Sequence, residues 1–383
     1  MIQPNPDLAV GARRLASWNT PARRRESFRS LHMIHRRGLS FRAPLVLPLR
    51  HDEDPVLASL PGISALMSDP AFCTLVIVQD GRIVLERHAA DFAADRLHSI
   101  QSVTKSFVHL ALGRLIAEGK IDPLHPIADY VPAPGDAYAR ASVQQALDMN
   151  VPSNFEEDYA APYSPPPANG APVGYARQEI AMGWRLPPAD EAEFGVRSFA
   201  AGLVAGPAGN DNVTRYASPN TDMLGWIIEQ ASGRPLSSHV EGIVAAAGLE
   251  SSFHISADCD GVPVLSGGGV MTARDLARYG LLIARGGAGV DGSEVGSAPF
   301  LADAMSGAGT SYGGSPQLRY RNHLMSNGTW AGHPGFAGQF LMVDPAKRAA
   351  AAFFSVLETE FGDRDGYFAA IISALSAALQ RLD

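Results

Sequence analysis

Apolar positions near the two ends of the chain fall into short β-like runs, and those between follow a helical period of three to four. Thr74–Gln79 and Arg82–Arg87 are two β-rich runs about Asp80-Gly81, a strong hairpin signal. Gln339–Val343 and Ala349–Leu357, separated by Asp344-Pro345, read as a second hairpin. Gly366–Leu382 closes the chain as an amphipathic helix with Tyr367, Ile371, Leu375, Ala378 and Leu382 along one side. From Ser102 to about Gly119 apolar residues surround most of the axis, so that helix is expected to be buried. Its polar stripe is Ser102, Lys105, Ser106 and His109, and Gly119 before Asp122-Pro123 ends it.

Further helices are expected near Pro55–Met67 and over Val143–Met149, Thr221–Ala231, Leu236–Ala247 and Thr272–Ala284. Tyr163–Tyr175, with Pro165-Pro166-Pro167 and Asn169-Gly170, is too rich in Pro and Gly for regular structure and reads as a flap. Strands near both ends with helices between predict an α+β fold: one antiparallel sheet built from both halves of the chain, flanked by helices, with an inserted mainly helical lobe. The corresponding division is an N-terminal extension packing on the core (1–70), an α/β domain (71–125 and 260–383) and a mainly helical domain (126–259).

Composition narrows the class. With 383 residues, 46% of them hydrophobic and 18% charged, the chain can bury a substantial core. A net charge of −8 argues against nucleic acid as a partner. The first fifty residues run the other way, with ten arginines from Arg13 to Arg50 against Asp7 and Glu26. They form either a basic arm for a membrane or polyanion, or an extension whose arginines pair with the acidic remainder. Cys73 and Cys259 are the only cysteines, so no disulfide framework or Cys/His zinc spacing is present. No run has the ~18 apolar residues of a membrane span, and no signal-peptide pattern opens the chain, which makes the cytoplasm the expected location.

Candidate chemistry centres on Ser102-Val103-Thr104-Lys105. A serine hydroxyl needs a base within hydrogen-bond reach, and lysine three residues on shares its helix face. Burial lowers a lysine pKa, which lets a partly neutral amine accept the serine proton. The same tetrapeptide also fits a capping serine and an outward lysine. Arginine outnumbers lysine 28 to 3, so a lysine here is not simply the chain's usual cation. Two later segments add weight. Tyr216-Ala217-Ser218-Pro219-Asn220-Thr221-Asp222 offers a phenol that could relay a proton, its pKa lowered by a nearby ammonium. In Gly332-His333-Pro334-Gly335-Phe336-Ala337-Gly338, small residues let a strand approach a ligand, and one of its amides could complete an oxyanion hole with that of Ser102.

This ordered set resembles the serine β-lactamase and penicillin-binding-protein superfamily, and within it the 6-aminohexanoate-dimer hydrolases, the nylon-oligomer enzymes. The likeness spans about Leu75 to Asp344. It rests on S-V-x-K-S at Ser102–Ser106, an acidic-Asp-Tyr element at Glu157-Asp158-Tyr159, Y-x-S-x-N-T-D at Tyr216–Asp222, and the segment Gly268–Arg278. The resemblance implies a β-lactamase/transpeptidase-like fold with Ser102 as acylated nucleophile, Lys105 as base and Tyr216 as relay to the leaving group. It also implies that Tyr159 hydrogen-bonds the bound amide, that Trp184 borders the substrate and that Glu179 takes its amino group. Ser218, His333, Gly335 and Phe336 complete the expected substrate contacts. His333 is either a carboxylate ligand when protonated or a satisfied strand histidine, and Trp184 either a pocket wall or a packing residue. His333-Pro334-Gly335 replaces the K-T-G or H-T-G of penicillin-interacting members, and Ser218 the Asn of Tyr-x-Asn, which argues against efficient β-lactam turnover.

The expected function is a cofactor-independent serine hydrolase, an amidase or carboxylesterase acting on a small-molecule amide or ester. The alternatives are a β-lactamase or D-peptidase, an acyltransferase, and a non-catalytic binding protein on the same fold. Neither nucleic acid nor membrane is an expected partner, and a homodimer is compatible with the sequence.

Overall fold

A computed structural model describes residues 14–159, 173–207, 212–313 and 315–383. Among them, nine strands form the main sheet in the order Thr310–Ser311, Arg319–Arg321, Leu324–Ser326, Ala331–Gly335, Gln339–Asp344, Ala349–Ser355, Phe72–Gln79, Arg82–His88 and Arg50–His51. Every pair is antiparallel except the last. The hairpin at Asp80-Gly81 forms because both residues take positive φ, 49° and 76°, the left-handed pair that matches strand twist.

The centre of the sheet joins the two halves of the chain, Phe72–Gln79 lying beside Ala349–Ser355. Both strands are buried at every position, because both faces are covered. The helix Ala273–Ala284 packs on one face, begun by Thr272, whose hydroxyl accepts the Asp275 amide at 3.1 Å. The terminal helix Tyr367–Arg381 packs on strands Gln339–Asp344 and Ala349–Ser355 and on the helix Pro61–Met67.

A second, four-stranded sheet runs Gly38–Phe41, Phe253–Ser256, Gly269–Met271, His98–Ser99. The expectation of a single sheet is corrected here: these strands are two to four residues long, too short for alternation to show. The Arg-rich lead-in contains the helix Pro21–Ile34, whose Arg24, Phe28, Leu31 and Ile34 are buried at three-to-four spacing. Its outward arginines meet acidic residues: Arg25 and Arg29 reach Asp91 at 2.9 and 2.6 Å, and Arg36 and Arg37 pair with Glu193.

The helices Tyr175–Ala181, Val196–Ala201, Ser218–Ser232 and Leu236–Ala247 occupy the middle of the chain. The expected flap lies largely outside the described residues; beyond it Val173–Gly174 pairs with Phe155–Glu156, and Tyr175 opens a helix. No helix among the described residues is long and apolar enough to cross a membrane.

Candidate active site

Ser102 does not open an α-helix as its pattern predicts. Gln101–Lys105 is a 3₁₀ turn, and the α-helix proper is Ser106–Ala117. The difference favours the pair, because with three residues per turn positions i and i+3 are eclipsed. The backbone enters through Gln101 at φ 48°, a conformation that costs a β-carbon residue on the order of 1 kcal/mol. Hydrogen bonds hold it there: Gln101 Nε2 donates to Ser99 Oγ at 2.7 Å, and Thr104 Oγ1 donates to the Gln101 carbonyl at 2.6 Å. The Gly269 amide in turn donates to Thr104 Oγ1 at 3.0 Å, tying the turn to the small sheet.

Lys105 is 0% exposed. Its Nζ lies 2.9 Å from Ser102 Oγ, and it also donates to the Ser266 carbonyl. Burial pushes its pKa down to about 8, against the opposing pull of Glu157 and Asp222, so a usable fraction is the free amine at neutral pH. Asp222 is pushed up, chiefly by burial, and its Oδ2 accepts from Gln178 Nε2 at 3.1 Å.

The Tyr216 ring centroid is 5.1 Å from Lys105 Nζ, and Tyr216 lines the same cavity as Ser102, whose side chain acts on its phenol. Hydroxyl, amine and phenol therefore converge from two distant segments. One expectation is reversed, because burial among Tyr320, Tyr312 and Glu157 raises the Tyr216 pKa well above the ordinary phenol value. Tyr216 is thus a neutral O–H, suited to giving a proton and regaining one from the ammonium.

The third segment forms the opposite side. Strand Ala331–Gly335 ends in a tight turn, with Ala337 and Gly338 at φ 61° and 99° and the Gly338 amide donating to the Gly335 carbonyl at 3.2 Å. Gly335 lies so close to the Ser102 segment that a Cβ there would sit 2.6 Å from the Ile100 carbonyl oxygen. Ser102, Tyr216, Gly335, Phe336 and Tyr159 line a common cavity of about 530 Å³.

Four expected substrate contacts lie elsewhere. Ser218 turns its hydroxyl to Glu157 at 2.5 Å, and its amide donates to the same carboxylate at 2.7 Å. Glu179 Oε2 is bound by Arg185 at 2.6 Å, and Glu179 is not among the residues that line the cavity. Trp184 is 1% exposed, stacked on His35 at 5.2 Å and edge-on to Trp18 at 5.5 Å. Its ring backs Gly267, next to the Ser266 that holds Lys105, so it packs behind the site. His333 is wholly buried, with Tyr320 Oη 2.9 Å from Nε2 and the Pro334 carbonyl 2.6 Å from Nδ1. Burial and the nearby Lys105 hold its pKa well below the ordinary value, which makes it a neutral strand histidine rather than a carboxylate ligand.

Glu157 is the residue that sequence reasoning missed. It lines the cavity beside Ser102, accepts from Tyr159 Oη at 3.0 Å as well as from Ser218, and its charge acts on Lys105. Its membership in the acidic-Asp-Tyr element Glu157-Asp158-Tyr159 is the signal that could have found it. Tyr312, which packs edge-on to Tyr216 with centroids 6.3 Å apart, also lines the cavity and carried no motif.

The Beta-lactamase family model matches residues 57–375, beginning downstream of most of the Arg-rich lead-in. The 6-aminohexanoate-dimer hydrolase of Paenarthrobacter ureafaciens is 29% identical over 362 residues, 89% of this chain and 87% of the relative. A Bacillus anthracis protein provisionally assigned as a 6-aminohexanoate-dimer hydrolase superimposes with a TM-score of 0.78 at 18% identity, covering 96% of this chain and 97% of its own. A penicillin-binding-protein homologue from Caulobacter crescentus gives a TM-score of 0.59 at 17% identity over 85% of this chain and 98% of its own. At these identities the structural likenesses establish the fold.

Proposed function

The chain belongs to the Beta-lactamase family and is a serine hydrolase, and we propose that it cleaves an amide or ester bond of a small molecule through an acyl-enzyme on Ser102. The observation that carries this is the 2.9 Å approach of a fully buried Lys105 amine to Ser102 Oγ at the edge of a cavity. Lys105 takes the Ser102 proton as Oγ bonds to the substrate carbonyl carbon. The oxyanion rests on the backbone amides of Ser102 and Phe336. On collapse, the leaving nitrogen or oxygen takes the Tyr216 proton, and Tyr216 regains one from the Lys105 ammonium. Water then attacks the acyl ester by the reverse path, restoring Ser102.

The cavity wall carries several aromatic rings, among them Tyr159, Tyr312, Phe336 and Phe368, together with Leu357 and Ile371, which supports an apolar substrate chain. A linear amide like that in the Paenarthrobacter ureafaciens enzyme's name fits this description. Neutral, doubly engaged His333 offers no positive charge to a substrate carboxylate, so such a group would have to be met elsewhere in the cavity, where Arg364 lines the wall. A cytoplasmic location belongs to the same proposal, supported by two free thiols.

A fluorophosphonate probe tests the centre of this proposal, with p-nitrophenyl esters and short linear amides as substrates. Wild type is expected to label and turn over, and Ser102→Ala to do neither. Equal labelling of the two removes Ser102 from the mechanism.

A further inference from the structure

Arg24, on the N-terminal helix, is 1% exposed, yet its acceptors are carbonyl and amide oxygens rather than carboxylates. Nη1 donates to the carbonyls of Leu357 and Thr359, both at 2.6 Å. Nη2 donates to the Asn19 carbonyl at 2.9 Å and the Glu360 carbonyl at 3.4 Å, while Nε donates to Asn19 Oδ1 at 2.9 Å. The guanidinium also lies over the Phe336 ring, 5.0 Å from its centroid. Burial pushes its pKa down to about 10, so it stays charged at neutral pH.

Those contacts meet at one wall of the catalytic cavity. Leu357, Phe361 and Gly362 line it from the loop before the terminal helix, and Phe336 lines it from the hairpin next to Ser102. The two parts touch: Gly362 has φ +66°, and a Cβ on it would lie 2.3 Å from Phe336 Cζ. Arg24 spans both with a planar fork that no other side chain supplies. Ser102 and Lys105 are held separately, by Ser266, Thr104 and Ser99.

We propose that Arg24 is a positioning residue that fixes this wall and so determines the length of apolar chain the cavity accepts. The inference rests on the cavity being the substrate's site. Without the fork, three loop carbonyls lose their buried donor, the loop moves toward water to satisfy them, and the wall recedes. The chemistry of a substrate too short to reach the wall is untouched.

The test is kcat/KM for p-nitrophenyl acetate, butanoate, hexanoate and octanoate with wild type, Arg24→Met and Arg24→Lys, alongside circular dichroism and fluorophosphonate labelling. Arg24→Met is expected to change the ratio of the longest to the shortest ester about tenfold, mainly through KM, with acetate within about twofold. Arg24→Lys keeps the charge but not the fork and should fall between them. Asn19→Ala, which removes only the Nε partner, gives a smaller change in the same direction and serves if Arg24→Met does not fold. An equal fall across all esters, or an unchanged ratio in folded variants that still label, overturns this inference alone. Absence of Ser102-dependent labelling in wild type overturns the reading of the site and this inference with it.

Discussion

Replacing Gly335 by alanine separates the strand from the nucleophile without adding or removing a polar group. The new Cβ would stand 2.6 Å from the Ile100 carbonyl oxygen, 2.8 Å from Gln339 Cβ and 3.2 Å from Gln101 Cβ. The nearest of these is backbone and cannot rotate away. Ordinary contact begins near 3.4 Å, so the strand end must retreat by roughly 0.8 Å from the segment that carries Ser102. Overpacking of this kind costs about 1–3 kcal/mol, a loss of a few degrees in Tm for a chain of this size. The catalytic cost is larger, because a misplacement of about 1 Å, or loss of one oxyanion donor, reduces kcat on the order of a hundredfold. Steady-state hydrolysis of p-nitrophenyl acetate, with thermal melts on the same samples, reads both. The expected pattern is kcat down about a hundredfold, KM nearly constant and a folded protein. A folded Gly335→Ala enzyme with wild-type kcat would refute the role given to this strand in holding the oxyanion.

Two further predictions follow from ionisation. If neutral Lys105 is the base, kcat/KM rises with pH and levels off above about 8; Glu157→Gln removes an anion that raises the Lys105 pKa, so the rise should move to lower pH. A pH–rate profile whose midpoint stays put or moves upward excludes that coupling. His35 has both ring nitrogens shut off from solvent and unpartnered among the described residues, and burial lowers its pKa to about 3. Unfolding lets it take a proton below roughly pH 6.5, so its contribution is complete above that pH and is lost as pH falls toward 3, by at most about 1.4 kcal/mol per pH unit. Urea melts of His35→Phe, which keeps a ring against Trp184, should show a shallower loss of stability on acidification than wild type; parallel curves would dismiss the effect.

Legibility of the sequence followed the range of the interactions concerned. The hairpin at Asp80-Gly81, the helix begun by Thr272 and the terminal helix obey local rules, and their observed bounds, such as Tyr367–Arg381, lie within a residue or two of the pattern. The S-x-x-K pair was equally visible, although its 3₁₀ geometry depends on Gln101 being tied to Ser99 and Thr104. What escaped was decided by partners far along the chain. Glu179 looks available until Arg185 folds onto it, and Trp184 looks like a pocket wall until Trp18 and His35 enclose it. Arg24 belongs to a run of arginines that reads as surface charge, and only the approach of residues 357–360 makes it interior.

The pairing of Phe72–Gln79 with Ala349–Ser355 also governs how the molecule can assemble. During synthesis the first of these apolar strands leaves the ribosome long before its neighbour exists, and a nascent chain stopped before Ala349 exposes it as an open edge. Closing so long a loop is slow, and such edges invite intermolecular pairing meanwhile. The centre of the protein is therefore completed last, and a C-terminal truncation before Ala349 that spares Ser102, Lys105 and Tyr216 would still forfeit the sheet on which those groups depend.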